Sequence, residues 1–204
     1  MQFLDPAFLI KTLGTVGIIA IVFAESGLFF GFFLPGDSLL FTAGLVASNG
    51  RLDIYTLLIG CALAAILGDS VGYAFGAKVG PKIFIKEESF FFKKRYLDAT
   101  KNYYDRHGKK TIIMARFIPI VRTFAPILAG VGSMNYRTFL SYNILGGIGW
   151  STLLLLLGYG LGRNIPGIDK YLLPIVLVII VISILPGVFN FIKISRKKEN
   201  NQAI

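Results

Sequence analysis

Two apolar stretches of this chain have the length of membrane-spanning helices, yet proline and charged residues interrupt both. The first runs over residues 25–49 and contains Pro35-Gly36-Asp37. The second runs over residues 111–134 and contains two arginines and two prolines: Arg116, Pro119, Arg122 and Pro126. Charged side chains and unpaired backbone groups are tolerated in hydrocarbon only inside protein or beside a water-filled cavity. Paired interruptions in corresponding places are typical of a transporter's binding site.

Composition places the whole chain in a membrane. Of its 204 residues, 54% are hydrophobic, and the mean hydropathy is +0.68, which favours one all-α polytopic domain over residues 1–204. His107 is the sole histidine and Cys61 the sole cysteine. An internal disulfide and a metal site built on these residue types are therefore excluded. Ser38 and Ser70 have no histidine base nearby in sequence, so we predict no enzyme activity and no cofactor.

Four further apolar segments have lengths suited to crossing a bilayer: residues 8–24, 54–77, 139–161 and 171–192. Residues 87–110 interleave aromatic and basic side chains, which suits an amphipathic helix lying in the membrane interface. A solvated helix that packs its aromatic residues on the protein is the alternative. A basic tail, residues 193–204, follows the last apolar segment.

Basic residues cluster beside the apolar segments. Ten of the 21 Lys and Arg residues lie between Lys78 and Lys110, and four lie between Lys193 and Lys198. Such clusters mark cytoplasmic ends and attract anionic lipids. We therefore assign the net charge of +10 to topology and lipid contact, and we expect no nucleic-acid binding.

The two halves of the chain repeat at a shift of 86 residues. Ala43-Gly44 then falls on Ala129-Gly130, and residues 72–76 fall on residues 158–162, with a Gly-Tyr pair in each. Membrane helices also share small-residue patterns without duplication, because glycine lets helices approach closely. We interpret the match as a duplication, with repeat 1 over about residues 25–80 and repeat 2 over about residues 111–166.

Charge topology favours a re-entrant hairpin for each interrupted segment. If residues 112–131 crossed the bilayer, the basic tail would lie outside, against the positive-inside tendency. A hairpin that enters from the cytoplasm and returns keeps both basic clusters and the C-terminus cytoplasmic. By the same logic, residues 28–47 form a hairpin from the opposite face, so the repeats are predicted to be inverted.

Five ionisable residues lie within or beside apolar segments: Glu25, Asp37, Asp69, Arg116 and Arg122. Each would cost about 2.5–3.5 kcal/mol if left unpaired at a helix centre. Three acids nearly balance two bases, so we expect them to meet in one central cavity. The candidate supporting residues are Asp69 and the residues that shape the hairpin tips: Pro35, Gly36 and Pro119.

An arginine pair in such a cavity suits a phosphate group, because the guanidinium binds phosphate through two parallel hydrogen bonds. Buried carboxylates beside it could exchange protons during transport. A static salt-bridge cluster that only joins the hairpins is the alternative, most of all for Asp69, whose segment carries no proline.

Three groups of residues resemble signatures of the DedA family, the bacterial branch of the VTT-domain membrane proteins. The first group is Glu25, Phe33-Leu34-Pro35-Gly36-Asp37 and Ala43-Gly44. The second is Gly68-Asp69, Gly72-Tyr73 and Gly76. The third comprises Arg116-Phe117-Ile118-Pro119, Arg122, Ala129-Gly130, Met134, Phe139, Asn143, Gly146 and Trp150. Together they cover about residues 25–162.

The resemblance implies two opposed hairpins and a role in moving lipids or lipid-linked phosphates across the bacterial inner membrane. Undecaprenyl phosphate, the carrier of cell-wall precursors, is the substrate it favours, with coupling to the proton-motive force. By motif, the essential residues correspond to Glu25, Asp37, Arg116 and Arg122, with Glu25 and Asp37 carrying the proton. The alternatives are a proton-coupled exporter of small ions or drugs, a general phospholipid scramblase and a non-transporting assembly factor. The oligomeric state, including a homo-oligomer, stays open.

Overall fold

The computed structural model describes residues 6–28, 34–83 and 119–165, and these form five α-helices without a strand among them. The helices are α1 (Pro6–Gly27), α2 (Gly36–Ser48), α3 (Ile54–Ile83), α4 (Pro119–Val131) and α5 (Tyr136–Asn164). The predicted all-α class is confirmed. Arg116, the basic segment 87–110, the predicted helix 171–192 and the tail lie outside the described residues.

Three of the helices are long and apolar enough to cross a membrane. The candidate spans are Ile10–Gly27 in α1, Ile54–Val79 in α3 and Tyr136–Asn164 in α5. They correspond to three of the predicted segments, but each helix extends several residues beyond the predicted bounds.

Helix α1 contains a break that its sequence did not predict. Gly14 adopts φ 60° and ψ −158°, a backbone conformation that L-residues with a side chain rarely enter. Glycine is therefore the residue that allows α1 to bend at this position. Ile18 and Val22 of the following turns are fully buried in the core.

Helices α2 and α4 each contain 13 residues. At 1.5 Å per residue, each spans about 20 Å, less than the roughly 30 Å of a bilayer's hydrocarbon core. Neither helix is long enough to cross a membrane alone. Helices this short are compatible with the predicted re-entrant hairpins, which enter and leave the bilayer on the same side. The hairpins stay a prediction, because residues 29–33 and 111–118, which would complete them, lie outside the described residues.

Pro35 and Pro119 lie at the starts of helices, and Pro126 lies within a helix that continues past it. Pro35 directly precedes α2, and Pro119 is the first residue of α4, where a missing N–H costs nothing. Pro126 was expected to interrupt its segment, but α4 continues through it to Val131. Its ring removes only the hydrogen bond that residue 126 would donate to the carbonyl of Arg122.

The helices bury mainly small and aliphatic residues, together with Phe41, Phe139 and Trp150, while many other large apolar side chains remain exposed. Along α3 these exposed residues recur at intervals of about four, which places them on one face: Tyr55, Ile59, Leu63, Leu67, Val71 and Phe75. A continuous apolar stripe of this kind suits contact with lipid. The core lies on the opposite side and combines α1, α2, α3 and α5.

Glycines bring α2 and α5 into backbone contact. A Cβ atom added to Gly44 would lie 2.1 Å from the carbonyl oxygen of Leu155, and one added to Gly158 would lie 2.0 Å from that of Phe41. A methyl group at either position would therefore push the two helices apart. The close approach depends on glycine at both positions.

The same kind of contact joins α3 and α4. A Cβ atom at Gly76 would lie 2.1 Å from the carbonyl oxygen of Ile127, and one at Gly130 would lie 2.1 Å from that of Tyr73. Each short helix thus packs on the long helix of the other predicted repeat. Gly44 and Gly130, which match at the 86-residue shift, each lie against a backbone carbonyl of the long helix in the other repeat, while the inverted orientation of the repeats stays a prediction.

Short polar contacts fix the turns between the helices. Asn135 caps α5 by accepting a hydrogen bond from the backbone N–H of Arg137 at 3.0 Å. Asp53 accepts from the hydroxyl and from the backbone N–H of Thr56 at the start of α3, and these bonds, the hydroxyl's first, hold the pKa of Asp53 below its ordinary value. The hydroxyl of Tyr73 donates to the carbonyl of Met134, which ties the α4–α5 turn to α3.

Two glycines of α5 offer a matched test of the helix contacts. We expect Gly158→Ala to lower the melting temperature, because the new methyl group meets the backbone of α2. Gly149→Ala should leave it unchanged or raise it, since nothing lies within 4 Å of that Cβ position and alanine favours a helix by about 0.5–1 kcal/mol. Thermal unfolding of the purified variants in detergent measures both. Equal melting temperatures would contradict the contact.

Candidate functional site

All five helices contribute a side chain to one buried cluster. Glu25 comes from the last turn of α1, Asp37 from the first turn of α2, Asp69 from α3, Arg122 from the first turn of α4 and Trp150 from the middle of α5. Arg122 therefore bonds directly to Asp37 and Glu25, which lie 85 and 97 positions before it in the sequence. We call these five residues the central cluster.

Arg122 is the centre of this cluster. Its Nη2 donates to Glu25 Oε1, and its Nη1 donates to Asp37 Oδ1 at 2.7 Å. The side chains of Arg122 and Glu25 are each 3% exposed, whereas Asp37 is 18% exposed. The guanidinium is thus removed from solvent and shared between two carboxylates, as the sequence predicted for these three residues.

Trp150 completes the surroundings of the ion pairs. Its indole Nε1 donates to Asp37 Oδ1 at 2.9 Å, and the guanidinium carbon of Arg122 lies 4.3 Å from the centre of its ring. Sequence reasoning assigned Trp150 no role beyond the family resemblance. The one available signal was that it is the only tryptophan of the chain and lies in a glycine-rich membrane segment.

The backbone at Pro35-Gly36 explains how Glu25 reaches this position. A Cβ atom at Gly36 would lie 1.4 Å from Glu25 Oε2, so only glycine leaves room for the carboxylate. Asp37 follows in the first turn of α2, where a helix start favours a negative charge. Gly36 therefore leaves the space that the Glu25 carboxylate occupies, and Pro35 directly precedes α2. Pro119 begins α4 three residues before Arg122. The supporting roles of these three residues stay a prediction.

Asp69 is the third carboxylate of the central cluster. It is 2% exposed and interacts electrostatically with Arg122, although α3 passes through its position without a break. Nearby, the amide of Asn143 on α5 donates to the carbonyl of Ile66 at 2.9 Å, one turn before Asp69. The structure therefore brings Glu25, Asp37, Asp69 and Arg122 together, and the described residues do not include Arg116.

The central cluster has an excess of acid and unused hydrogen-bonding atoms. Among the described residues it holds three carboxylates and one guanidinium. Within that same part of the chain, Glu25 Oε2 and Arg122 Nε are buried without a hydrogen-bond partner. A buried guanidinium whose partners are carboxylates can exchange them for another oxyanion, and a carboxylate released in this way can take up a proton.

No group of three His, Cys, Asp or Glu residues in the described ranges has the arrangement of a metal site. The charged side chains of the central cluster face one another, with Arg122 paired to Glu25 and Asp37. This geometry directs the interpretation toward anion and proton chemistry.

Long apolar helices around a buried charged cluster define a polytopic membrane protein with an intramembrane polar site. The VTT domain matches residues 34–160, well over half of the chain. The chain therefore belongs to the VTT-domain family, in which DedA proteins are found.

Relatives support this membership over most of the chain. Protein DedA of Escherichia coli K12 is 47% identical over 86% of this chain and 81% of its own length. An uncharacterized membrane protein of Mycobacterium leprae is 43% identical over 90% of this chain and 85% of its own. The inner membrane protein YqjA of Escherichia coli K12 is 32% identical over 79% and 77%. No solved structure matches the chain.

Removing the charge of Arg122 tests the energetics of the central cluster. We expect Arg122→Met to destabilise the fold by about 3–5 kcal/mol, because two buried carboxylates lose their partner. Adding Glu25→Gln to that variant should restore part of the loss, since one uncompensated charge disappears. Thermal unfolding measures both variants. Arg137→Met removes an exposed arginine and should stay within about 0.5 kcal/mol. A double variant no more stable than Arg122→Met would contradict the pairing.

Proposed function

We propose that this chain is a membrane transporter that moves a lipid phosphate, undecaprenyl phosphate above all, across the cytoplasmic membrane. The observation that carries the proposal is the Arg122 guanidinium held between Glu25 and Asp37 in the centre of the helix bundle. A charge in this position is costly, and its usual reason in a membrane helix is a substrate or ion pathway.

Arg122 and Arg116 bind the headgroup phosphate in this proposal. The planar guanidinium matches phosphate as it matches carboxylate, through paired N–H donors. The phosphate therefore replaces Asp37 or Glu25 on Arg122 without leaving the positive charge unpaired. Arg116 precedes Pro119 by three residues and supplies the second cation.

Glu25 and Asp37 carry the coupling proton in this proposal. When phosphate occupies Arg122, a displaced carboxylate loses its cation in a poorly solvated site, which favours the protonated acid. Return of the carboxylate to Arg122 releases the proton. Phosphate binding to Arg122 thus favours protonation of the displaced carboxylate, and this linkage couples the movement of the substrate to the proton gradient or the membrane potential.

The lipid part of the substrate follows from the surroundings of the site. The bundle exposes large apolar side chains on α3 and α5, and the 18% exposure of Asp37 keeps one acid accessible. A phosphate on a hydrocarbon chain can place its headgroup on Arg122 while its chain stays among apolar surfaces. The relative YqjA is named an inner membrane protein, and we extend that location to this chain, with a cytoplasmic C-terminus.

A proton-coupled exporter of a cationic solute is the second candidate. The excess of acid over base in the described part of the central cluster favours it, because a cation could replace Arg122 as the partner of a carboxylate. Proteoliposomes that contain only water-soluble cations separate the two functions. Gradient-driven cation movement without movement of undecaprenyl phosphate would establish the second candidate.

Substituting the guanidinium tests phosphate binding. We expect Arg122→Lys to lower the transport of undecaprenyl phosphate in proteoliposomes by about tenfold or more, because an ammonium keeps the charge but loses the planar pair of donors. Arg137→Lys makes the same exchange at an exposed position and should transport like the wild type. Wild-type transport by Arg122→Lys would exclude paired phosphate binding at this residue.

Neutralising the acids tests the coupling. We expect Glu25→Gln and Asp37→Asn each to abolish the stimulation of transport by a pH gradient, because an amide cannot carry the proton. Transport assays with and without an imposed gradient measure this stimulation. Asp53→Asn, at the exposed start of α3, keeps an acceptor for the helix cap. This control variant should retain the stimulation by the pH gradient. Full stimulation in both cluster variants would place the proton elsewhere.

Comparing lipids tests the substrate. We expect the purified protein to bind undecaprenyl phosphate more tightly than phosphatidylglycerol or phosphatidylethanolamine, because a terminal phosphate monoester offers more oxygens to Arg122 than a diester does. Titration in nanodiscs with labelled lipids measures the affinities. Equal affinity for all three lipids would favour general phospholipid scrambling.

A further inference from the structure

Trp150 contacts both members of one ion pair through different parts of its side chain. Its indole N–H donates to Asp37 Oδ1 at 2.9 Å, the same oxygen that accepts from Arg122 Nη1 at 2.7 Å. Its ring face lies 4.3 Å from the guanidinium carbon. The residue is 3% exposed, and its polar atom has a partner, as buried indoles require.

These contacts divide the donors of Arg122 into occupied and unoccupied ones. The indole ring covers one face of the guanidinium, and the two terminal nitrogens hold Glu25 and Asp37. Within the described residues, Nε is the donor of Arg122 without a hydrogen-bond partner. Nε therefore offers an oxyanion a donor that no carboxylate occupies, beside the terminal nitrogens that become available when a carboxylate leaves.

We propose that Trp150 is the positioning residue of this anion site, holding Asp37 when an anion displaces that carboxylate from Arg122. The inference rests on the proposed function, because the displacing anion is the substrate phosphate. The indole N–H keeps the released carboxylate within reach of the guanidinium. The ring meanwhile holds the guanidinium plane in place through its cation–π contact. Asp37 then returns to Arg122 as soon as the phosphate leaves.

Two substitutions separate these roles. Trp150→Phe keeps an aromatic face and removes the N–H, so we expect turnover to fall about tenfold while the affinity for phosphate changes less than threefold. Trp150→Leu also removes the cation–π contact, and we expect the affinity to fall about tenfold as well. A residue that served only as core packing would affect stability in both variants without this separation of affinity from turnover.

The sole tryptophan of the chain gives a direct spectroscopic test. With ¹⁵N-labelled tryptophan, the wild-type protein in nanodiscs shows one indole N–H resonance. We expect Asp37→Asn to move this resonance upfield, because the hydrogen bond to a charged oxygen is lost. Phe139→Leu substitutes a fully buried aromatic residue of the same helix in a separate packing cluster, and it should leave the resonance in place. An unmoved resonance in Asp37→Asn overturns the inference without any substrate.

A second measurement records the same indole resonance after adding geranylgeranyl phosphate, with the alcohol geranylgeraniol as the uncharged control. We expect the phosphate to shift the indole resonance and the alcohol to leave it unchanged. If the phosphate binds but Trp150→Phe turns over like the wild type, the positioning role is wrong. If no phosphate binds the wild-type protein, the proposed function fails. The Asp37→Asn spectrum then still decides whether Trp150 holds Asp37.

Discussion

The burial of Arg122 is the constraint on which the rest of this structure depends. A guanidinium that is 3% exposed needs anionic partners at hydrogen-bond distance, and it finds them on two different helices. Glu25 closes the end of α1, and Asp37 opens α2, so the last turn of α1 and the first turn of α2 must both lie beside the first turn of α4. The charges thus determine which helix ends meet at the centre.

Glycine contacts set the distances that this meeting requires. Because α2 touches the backbone of α5 at Gly44 and Gly158, Asp37 comes within reach of Trp150. Because α4 touches the backbone of α3 at Gly76 and Gly130, Arg122 comes close to Asp69. Larger residues at these positions would meet the facing backbone and push the helices apart. Small residues outside the central cluster therefore control the electrostatics inside it.

Sequence reasoning predicted the acids and Arg122 because charge in hydrocarbon must pair, whatever the fold. It also predicted the helical class and three spanning helices from apolar length alone. It did not predict the role of Trp150, since the bond to Asp37 joins residues 113 positions apart and depends on the α2–α5 packing. The bend at Gly14 and the continuity of α4 through Pro126 were missed for a related reason. A residue type permits such conformations, but tertiary contacts select them.

The imbalance of charge explains why the central cluster is suited to two states. With all acids ionised, three carboxylates would face one guanidinium in the described part of the bundle. Each uncompensated charge in such surroundings costs several kcal/mol, so further cations or protons must compensate for both excess negative charges. Arg116 can supply the cation only from the segment that leads into α4, and protons can reach Asp37, the more exposed acid. Either partner alone therefore leaves one negative charge uncompensated, and the described part of the central cluster becomes neutral only when both are present. An anion binds more readily in that state. In the proposed function, phosphate binding and protonation are thereby linked through the same carboxylates.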